Sequence, residues 1–250
     1  METAIAQLLE SVVLIANAHS DLMNRRWELL NRLASLIGAD AWTWSWGRGS
    51  PTEDTVTLLA ALDHGFSDKQ RRHYMEWVMS DDCHLDYRPR VIPRINDQGQ
   101  VTTRRCDAYS DQEWSNNPAL RKMLNRCGWE SWVHCVRHFA NQNWSYMGFF
   151  RNADRPDFSL QDAALVDLSM RRIQWLHTTV DETLPPEAFA NITLRQRDVM
   201  LMLLEGLSRK QIAHQMGITE DTVGDHIKAI YKHFQVRSAT ELAGRFLKSQ

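Results

Sequence analysis

One local device recurs along the C-terminal stretch from Ile192 to Lys248. Thr193 with Gln196, Ser208 with Gln211 and Ser238 with Glu241 each read Ser/Thr-x-x-Glu/Gln. In that pattern the first side chain accepts from the backbone three residues on, and the second side chain accepts in return. Two unpaired donors at a helix start are thereby satisfied together. Thr219 is a further N-cap, followed by Glu220 and Asp221 where the helix dipole favours acids. Gly206 and Gly217 stand where the first and second helices should stop, because glycine takes the left-handed conformation without strain. Capping alone therefore commits this stretch to four short helices and leaves no room for a sheet.

The third of these helices carries the most information. Val223, Ile227, Ile230 and Phe234 fall on one stripe at helical period and predict a buried face. Asp225, Lys228 and Lys232 follow another stripe and should point outward. The second helix offers Ile212, Ala213 and Met216 to the same core, and a short turn at Gly217 separates the pair. Two helices joined in this way form a helix-turn-helix, whose second member can enter the DNA major groove.

The motifs Thr193-x-Arg195-x-Arg197-x-Val199, Gly206-Leu-Ser-x-Lys-x-Ile-Ala213, Gly217-Ile-Thr-x-x-Thr-Val-x-x-His-Ile227 and Val236-Arg-Ser238 occur in order. In this the stretch resembles the LuxR-type (NarL/FixJ) DNA-binding domain. It departs from that family at Gln196 and Gln211, where glutamate is usual, and at Gln235, where glycine is usual. Gly224 and Asp225 also replace more typical groove-facing residues. The resemblance implies double-stranded DNA as partner, contacted by Arg209, Lys210, Thr222, Val223, Gly224, Asp225, Lys228 and Lys232. It also implies pairing of two copies through the last helix, Ser238 to Lys248. An aspartate at 225 repels phosphate but can accept from a cytosine amino group.

Charge is divided along the chain. Residues 192–250 hold 9 Lys+Arg against 6 Asp+Glu, whereas the rest holds 20 against 25. A mildly basic tail on an acidic body fits DNA binding confined to the tail, with two copies needed for affinity. Cys83, Cys106, Cys127 and Cys135 lack close paired spacing and read as reduced thiols of a cytoplasmic protein. The apolar opening is interrupted by Glu10 and reads as an amphipathic helix, not a signal peptide or a membrane span.

Upstream, helical periodicity covers residues 3–37 in two parts, broken near Asn17 to Ser20. Ala41 to Gly47 and Thr55 to Leu62 read as paired strands, and Ser67 starts a helix to about Ser80. Residues 81–109 read as irregular around Pro89 and Pro93, with a turn at 96–99, and a helix is expected over 117–126. Trp129 to Phe139 and Trp144 to Arg151 alternate as a hairpin turning at 140–143. Ser159 caps a last helix running on to Val180, and the paired prolines Pro185 and Pro186 make a linker. The expected fold class is α+β: a PAS- or GAF-like sensor domain with a central antiparallel sheet over 1–183, a linker over 184–191, and an all-α four-helix domain over 192–250.

All ten tryptophans lie before residue 192. Trp42, Trp44 and Trp46 share one strand face; with Tyr74, Trp77, Trp132 and His134 they are candidates to line a pocket for a small apolar or aromatic effector. The alternative is that the trio packs beneath covering helices, leaving the front domain a ligand-free interaction or dimerisation module. Acyl-homoserine-lactone receptors of the resembled family carry Trp-x3-Tyr followed by Asp-Pro. Here Gln70 precedes Tyr74 and Cys83 follows Asp82, so that ligand class is not expected. His134 and His138 lie about 13 Å apart along a strand, too far to share one metal ion. Neither cofactor nor metal is expected, and an enzyme would require a cleft joining Cys135 to a histidine.

Overall fold

A computed structural model describes residues 2–18, 22–49, 57–78, 80, 83, 87–95, 99–117, 126–139, 143–177 and 191–246. Helices α1 (Glu2–Ala18) and α2 (Leu22–Leu36) lead into strands β1 (Ala41–Arg48) and β2 (Thr57–His64). Helix α3 (Asp68–Val78) begins at Ser67, whose hydroxyl accepts from the Gln70 backbone while the Gln70 side chain accepts in return at 2.8 Å. The region read as irregular contains short α4 (Arg88–Val91), strand β3 (Gln100–Arg104) and α5 (Arg105–Ala108), and α6 (Asp111–Asn116) follows just beyond it. Strands β4 (Trp129–His138) and β5 (Asn143–Asn152) form the long hairpin. Helix α7 (Leu160–Arg172) starts at the Ser159 capping box but ends well before Val180, giving way to a 3-10 turn at Gln174–Leu176. The linker prolines, Asp82, the turn residues 96–98 and 140–142, and most of the helix expected over 117–126 lie outside the described residues.

The strands form one antiparallel sheet in the order β2-β1-β5-β4-β3. Alternation sorts its side chains onto two apolar layers. Trp42, Trp44 and Trp46 lie beside Met147 and Phe149 and pack under Leu29, Leu30 and Leu33 of α2 and Val166 and Met170 of α7. The opposite layer holds Trp132 and Phe150, covered by Tyr74 and Trp77 of α3 and by Tyr87, Val91 and Tyr109. The Trp42 indole also donates to Asn31 at 2.9 Å. Each fully buried tryptophan contributes roughly 4–6 kcal/mol of gross burial energy, which marks the trio as core.

The C-terminal unit has the expected helices: α8 (Leu194–Leu204), α9 (Arg209–Met216), α10 (Glu220–Phe234) and α11 (Ala239–Phe246). The boxes at Thr193/Gln196 and Ser208/Gln211 both close, the glutamine carbonyls accepting from Thr193 and Ser208 N–H at 2.8 and 2.9 Å. An amide thus replaces the usual carboxylate without changing cap geometry. At the last helix the reciprocal bond shifts by one residue, since Glu241 accepts from Arg237 N–H and not from Ser238. Gly217 caps α9 at φ +62, and Gln235 caps α10 in the same left-handed region at φ +55.

The two units meet along the free edge of β2, an outer strand of the sheet whose outward backbone groups lack a neighbouring strand. Asp198 accepts the Ala61 N–H at 2.9 Å, and Arg197 donates to the Leu58 carbonyl at 2.7 Å. Arg195 pairs with Asp63 at 3.3 Å. At the start of α2, Met23 N–H donates to Glu205 at 3.0 Å, the Gln215 amide donates to Asn24, and the Trp27 and His214 rings lie 5.3 Å apart. One apolar cluster runs without a break from the tryptophan trio into Val199, Ile212 and Val223. No helix among the described residues is long and apolar enough to cross a membrane.

Candidate nucleic-acid interface and sensor cavity

Helix α10 divides as its period requires. Val223, Ile230 and Phe234 are buried, Ile227 is half-buried, and Thr222, Asp225, Lys228 and Lys232 are exposed. Val223 was expected at the DNA surface on the strength of the resemblance, but it sits fully enclosed in the helical core and cannot reach a base. Lys210 and Lys232 are exposed. The Thr222 hydroxyl lies 2.9 Å from that of Thr219 and belongs to the cap. Lys228 pairs with Asp225 at 3.0 Å; both side chains are more than three-quarters exposed, so the pair is weak and separable.

Gly224 has a specific neighbour. A Cβ there would stand 3.0 Å from the guanidinium carbon of Arg209, which reaches across from α9 and lies against the first turn of α10. Arg209 donates to the Glu220 carbonyl and, at 2.7 Å, to the Asp221 carboxylate. The glycine is buried beneath that side chain and is not itself a contact surface. The outer face therefore offers Arg209, Lys210, Lys228 and Lys232, tempered by three acids: Glu220, Asp221 and Asp225.

On the five-stranded sheet, the layer away from the tryptophan trio carries a partly open cavity of 170 Å³. Its walls include Tyr74, Trp77 and Val78 of α3, Tyr87 and Arg88, Thr43 and Ser45 of β1, Leu58 and Ala61 of β2, and Trp144 and Tyr146 of β5. Tyr74 and Trp77, two of the residues expected to line a pocket, are in its walls. Trp42, Trp44 and Trp46 are not in its walls, because the face they share is the one α2 and α7 cover. Trp132 and His134 lie on the cavity side of β4 but behind the tyrosines: His134 stacks on Trp132 at 4.2 Å and its Nδ1 bonds the Tyr87 hydroxyl. Burial holds the His134 pKa down at about 3, so the ring is neutral.

The cavity is apolar with a few polar points. The Tyr74 and Tyr146 hydroxyls meet at 3.0 Å, and burial raises both phenols above their ordinary range. The Trp77 indole N–H finds no acceptor among the described residues. Tyr87, Trp144 and Tyr146 went unread as wall residues, although parity from the β4–β5 hairpin places Tyr146 opposite Val136 on this face. Gln70, which stands where the resembled receptors have tryptophan, serves the α3 cap and donates to the Cys127 carbonyl.

Cys135 faces the other way, fully buried against Thr102, with burial pushing its thiol up to about 12. Its neighbour in sequence, His134, points into the opposite layer. Cys83 and Cys127 are also buried and unpaired, and Cys106 is exposed. Among the described residues no cluster of three His, Cys, Asp or Glu side chains could hold a metal ion.

The family described as bacterial regulatory proteins, luxR family, matches residues 190–246. The nitrate/nitrite response regulator NarL of Escherichia coli is 38% identical over 52 residues, which are 21% of this chain and 24% of NarL. NarP of the same organism is 38% identical over 64 residues, 26% of this chain and 30% of NarP. The chain therefore spans less than a third of the curated relatives it matches. Among solved structures, Escherichia coli SdiA aligns over 96% of this chain and 94% of its own, at 16% identity and a TM-score of 0.46. CepR2 of Burkholderia cenocepacia aligns over 70% and 88%, at 12% identity and a TM-score of 0.39.

Proposed function

From the premise that residues 190–246 are a LuxR-family helix-turn-helix domain, we propose that this chain is a sequence-specific DNA-binding transcription regulator. The observation that carries the reading is α10, whose apolar stripe is buried while Lys228 and Lys232 stand on an open flank. Residues 1–183 act as the sensor, 184–191 as the linker and 192–250 as the DNA-binding domain. The protein works in the cytoplasm as a homodimer, with two recognition helices in half-sites one helical turn, about 34–36 Å, apart. The test is fluorescence anisotropy of the full chain on a duplex library. Binding that weakens linearly with log salt and enriches a two-fold motif supports the reading, and no duplex binding at low salt refutes it.

The effector is a small aromatic or apolar molecule. The cavity's 170 Å³ suits something near the size of benzene, and its walls are largely aromatic. Native mass spectrometry of the purified protein checks both points at once, since it reports copies per complex and any retained small molecule. A second reading has an observation of its own. Leu9, Val13 and Leu14 of α1 are each more than half exposed, which favours a front domain that acts by pairing with another protein surface. A dimer with no retained molecule, and DNA affinity unmoved by any aromatic probe, would favour that reading.

A further inference from the structure

The wall of the cavity and the docking edge of the DNA-binding domain are the same strand. Leu58 and Ala61 of β2 line the cavity. The carbonyl of Leu58 and the N–H of Ala61 are the groups that Arg197 and Asp198 hold from α8. Strand β1 adds a tie from the cavity side: Ser45 is the register partner of Ala61, and the Thr43 hydroxyl donates to the Leu62 carbonyl at 3.1 Å. We propose that β2 relays occupancy of the cavity to the DNA-binding domain, an occupant displacing Leu58 and Ala61 and so loosening α8 from the sheet edge. This rests on the reading that the cavity takes a ligand.

The physics favours an all-or-none response. Asp198 is 2% exposed, so its carboxylate cannot exchange the Ala61 donor for water without leaving the interface. A hydrogen bond weakens steeply once distance and angle leave the normal range, and an unsatisfied buried acceptor costs more than the bond itself gains. A small outward shift of β2 is therefore converted into release of α8, with Arg195–Asp63 and Arg197–Leu58 breaking in the same movement. A packed strand that is either held or freed is the kind of two-state element that coupling between sites requires.

Hydrogen–deuterium exchange of the full chain tests this without DNA or a known ligand. Asp198→Ala should speed exchange of the 57–64 peptide about tenfold, leaving 129–138 and 143–152 protected, and Asp198→Asn, which keeps an acceptor oxygen, should restore most of the protection. Two cavity-filling variants on different walls, Ser45→Leu and Val78→Phe, should each speed exchange of 194–204 by a similar factor. The relay is overturned if Asp198→Ala leaves 57–64 unchanged, or if a filler that keeps 129–152 protected leaves 194–204 as in the wild type. It also falls if both fillers unfold the sheet centre, because the space would then admit no occupant. Duplex binding of the same proteins separates the two ideas: a chain that binds no DNA refutes the proposed function and leaves the exchange result standing.

Discussion

The Arg26 guanidinium lies 3.9 Å from the Glu205 carboxylate, both side chains nearly sealed from solvent, with Arg26 on α2 of the N-terminal unit and Glu205 at the end of α8. Arg26 also donates to the Leu176 carbonyl and lies 4.8 Å over the Trp44 ring. Its burial is costly enough to lower the guanidinium pKa to about 10 despite the acid beside it. Removing the acid alone should therefore hurt more than removing the pair. Glu205→Ala is expected to destabilise the chain by about 3 kcal/mol, whereas adding Arg26→Met should recover most of the loss. Chemical denaturation of the single and double variants measures both. A double variant weaker than Glu205→Ala would show that Arg26 stabilises by its other contacts.

Asp198 makes the contact between the units sensitive to pH. Burial raises its pKa from 3.8 to about 7, against the pull of Arg195 and Arg197 on its own helix, while Asp63 on β2 adds to the rise. The folded state then binds more protons than the unfolded one between those values. The carboxyl's contribution is fully present below pH 4 and is lost as pH rises through about 7. His134 and His177, held near 3 and 4 by burial, act in the opposite sense, their contribution being lost as pH falls below 6.5 through those values. The difference between wild type and Asp198→Asn cancels the histidines. Wild type should lose stability relative to that variant, on the order of 2 kcal/mol, between pH 5 and pH 8. A flat difference across that range would mean that Asp198 is ionised throughout.

What could be read in advance follows from how local each determinant is. The C-terminal helices were legible because a cap is written within four residues, as at Thr193 and Gln196. Strand β3 was not, since its inward residues include Gln100 and Thr102, satisfied by Asp167 of α7 and so carrying no hydrophobic signal. Helix α6 has a complete box at Ser110 and Glu113, a signal as local as those of the C-terminal helices and missed just beyond the proline-bearing segment. The alternation of Trp42, Trp44 and Trp46 gave the strand and the shared face correctly. Which face the helices cover depends on α2 and α7, and that decided core over cavity wall. Asp198 looked like an ordinary helix residue, because its partner is a backbone amide 137 positions away.

Gln235 holds φ +55 at the end of α10, with Val236 N–H returning to the Tyr231 carbonyl at 3.0 Å. A side chain in this region costs about 1 kcal/mol or more, and glycine avoids it at the expense of greater freedom in the unfolded chain. Gln235→Gly should therefore raise stability by about 0.5–1 kcal/mol, and thermal denaturation should show a higher Tm with the same unfolding cooperativity. The reverse change, Gly217→Ala at φ +62, should lower stability by about 1 kcal/mol even though nothing lies within 4 Å of its added methyl. A destabilised Gln235→Gly would mean that the glutamine side chain contributes more than its backbone costs.

On the flank of α10 proposed to face DNA, Asp225 holds Lys228 at 3.0 Å in a largely exposed pair. Such a pair contributes under 1 kcal/mol to the fold, so breaking it should leave stability nearly unchanged and alter binding alone. Lys228→Ala removes a phosphate partner; it should weaken duplex affinity several-fold and reduce the slope of log affinity against log salt by about one. Asp225→Ala should do the opposite. It releases the lysine and takes a negative charge from the groove side, raising affinity about two- to threefold at low salt. Base reading gives a different outcome for the same substitution. If Asp225 accepts from a cytosine amino group, its removal should relax preference at one base pair while affinity for the preferred duplex falls. Anisotropy titrations of both variants on a duplex library, at two salt concentrations, distinguish a lysine restrained by its neighbour from an aspartate that specifies sequence.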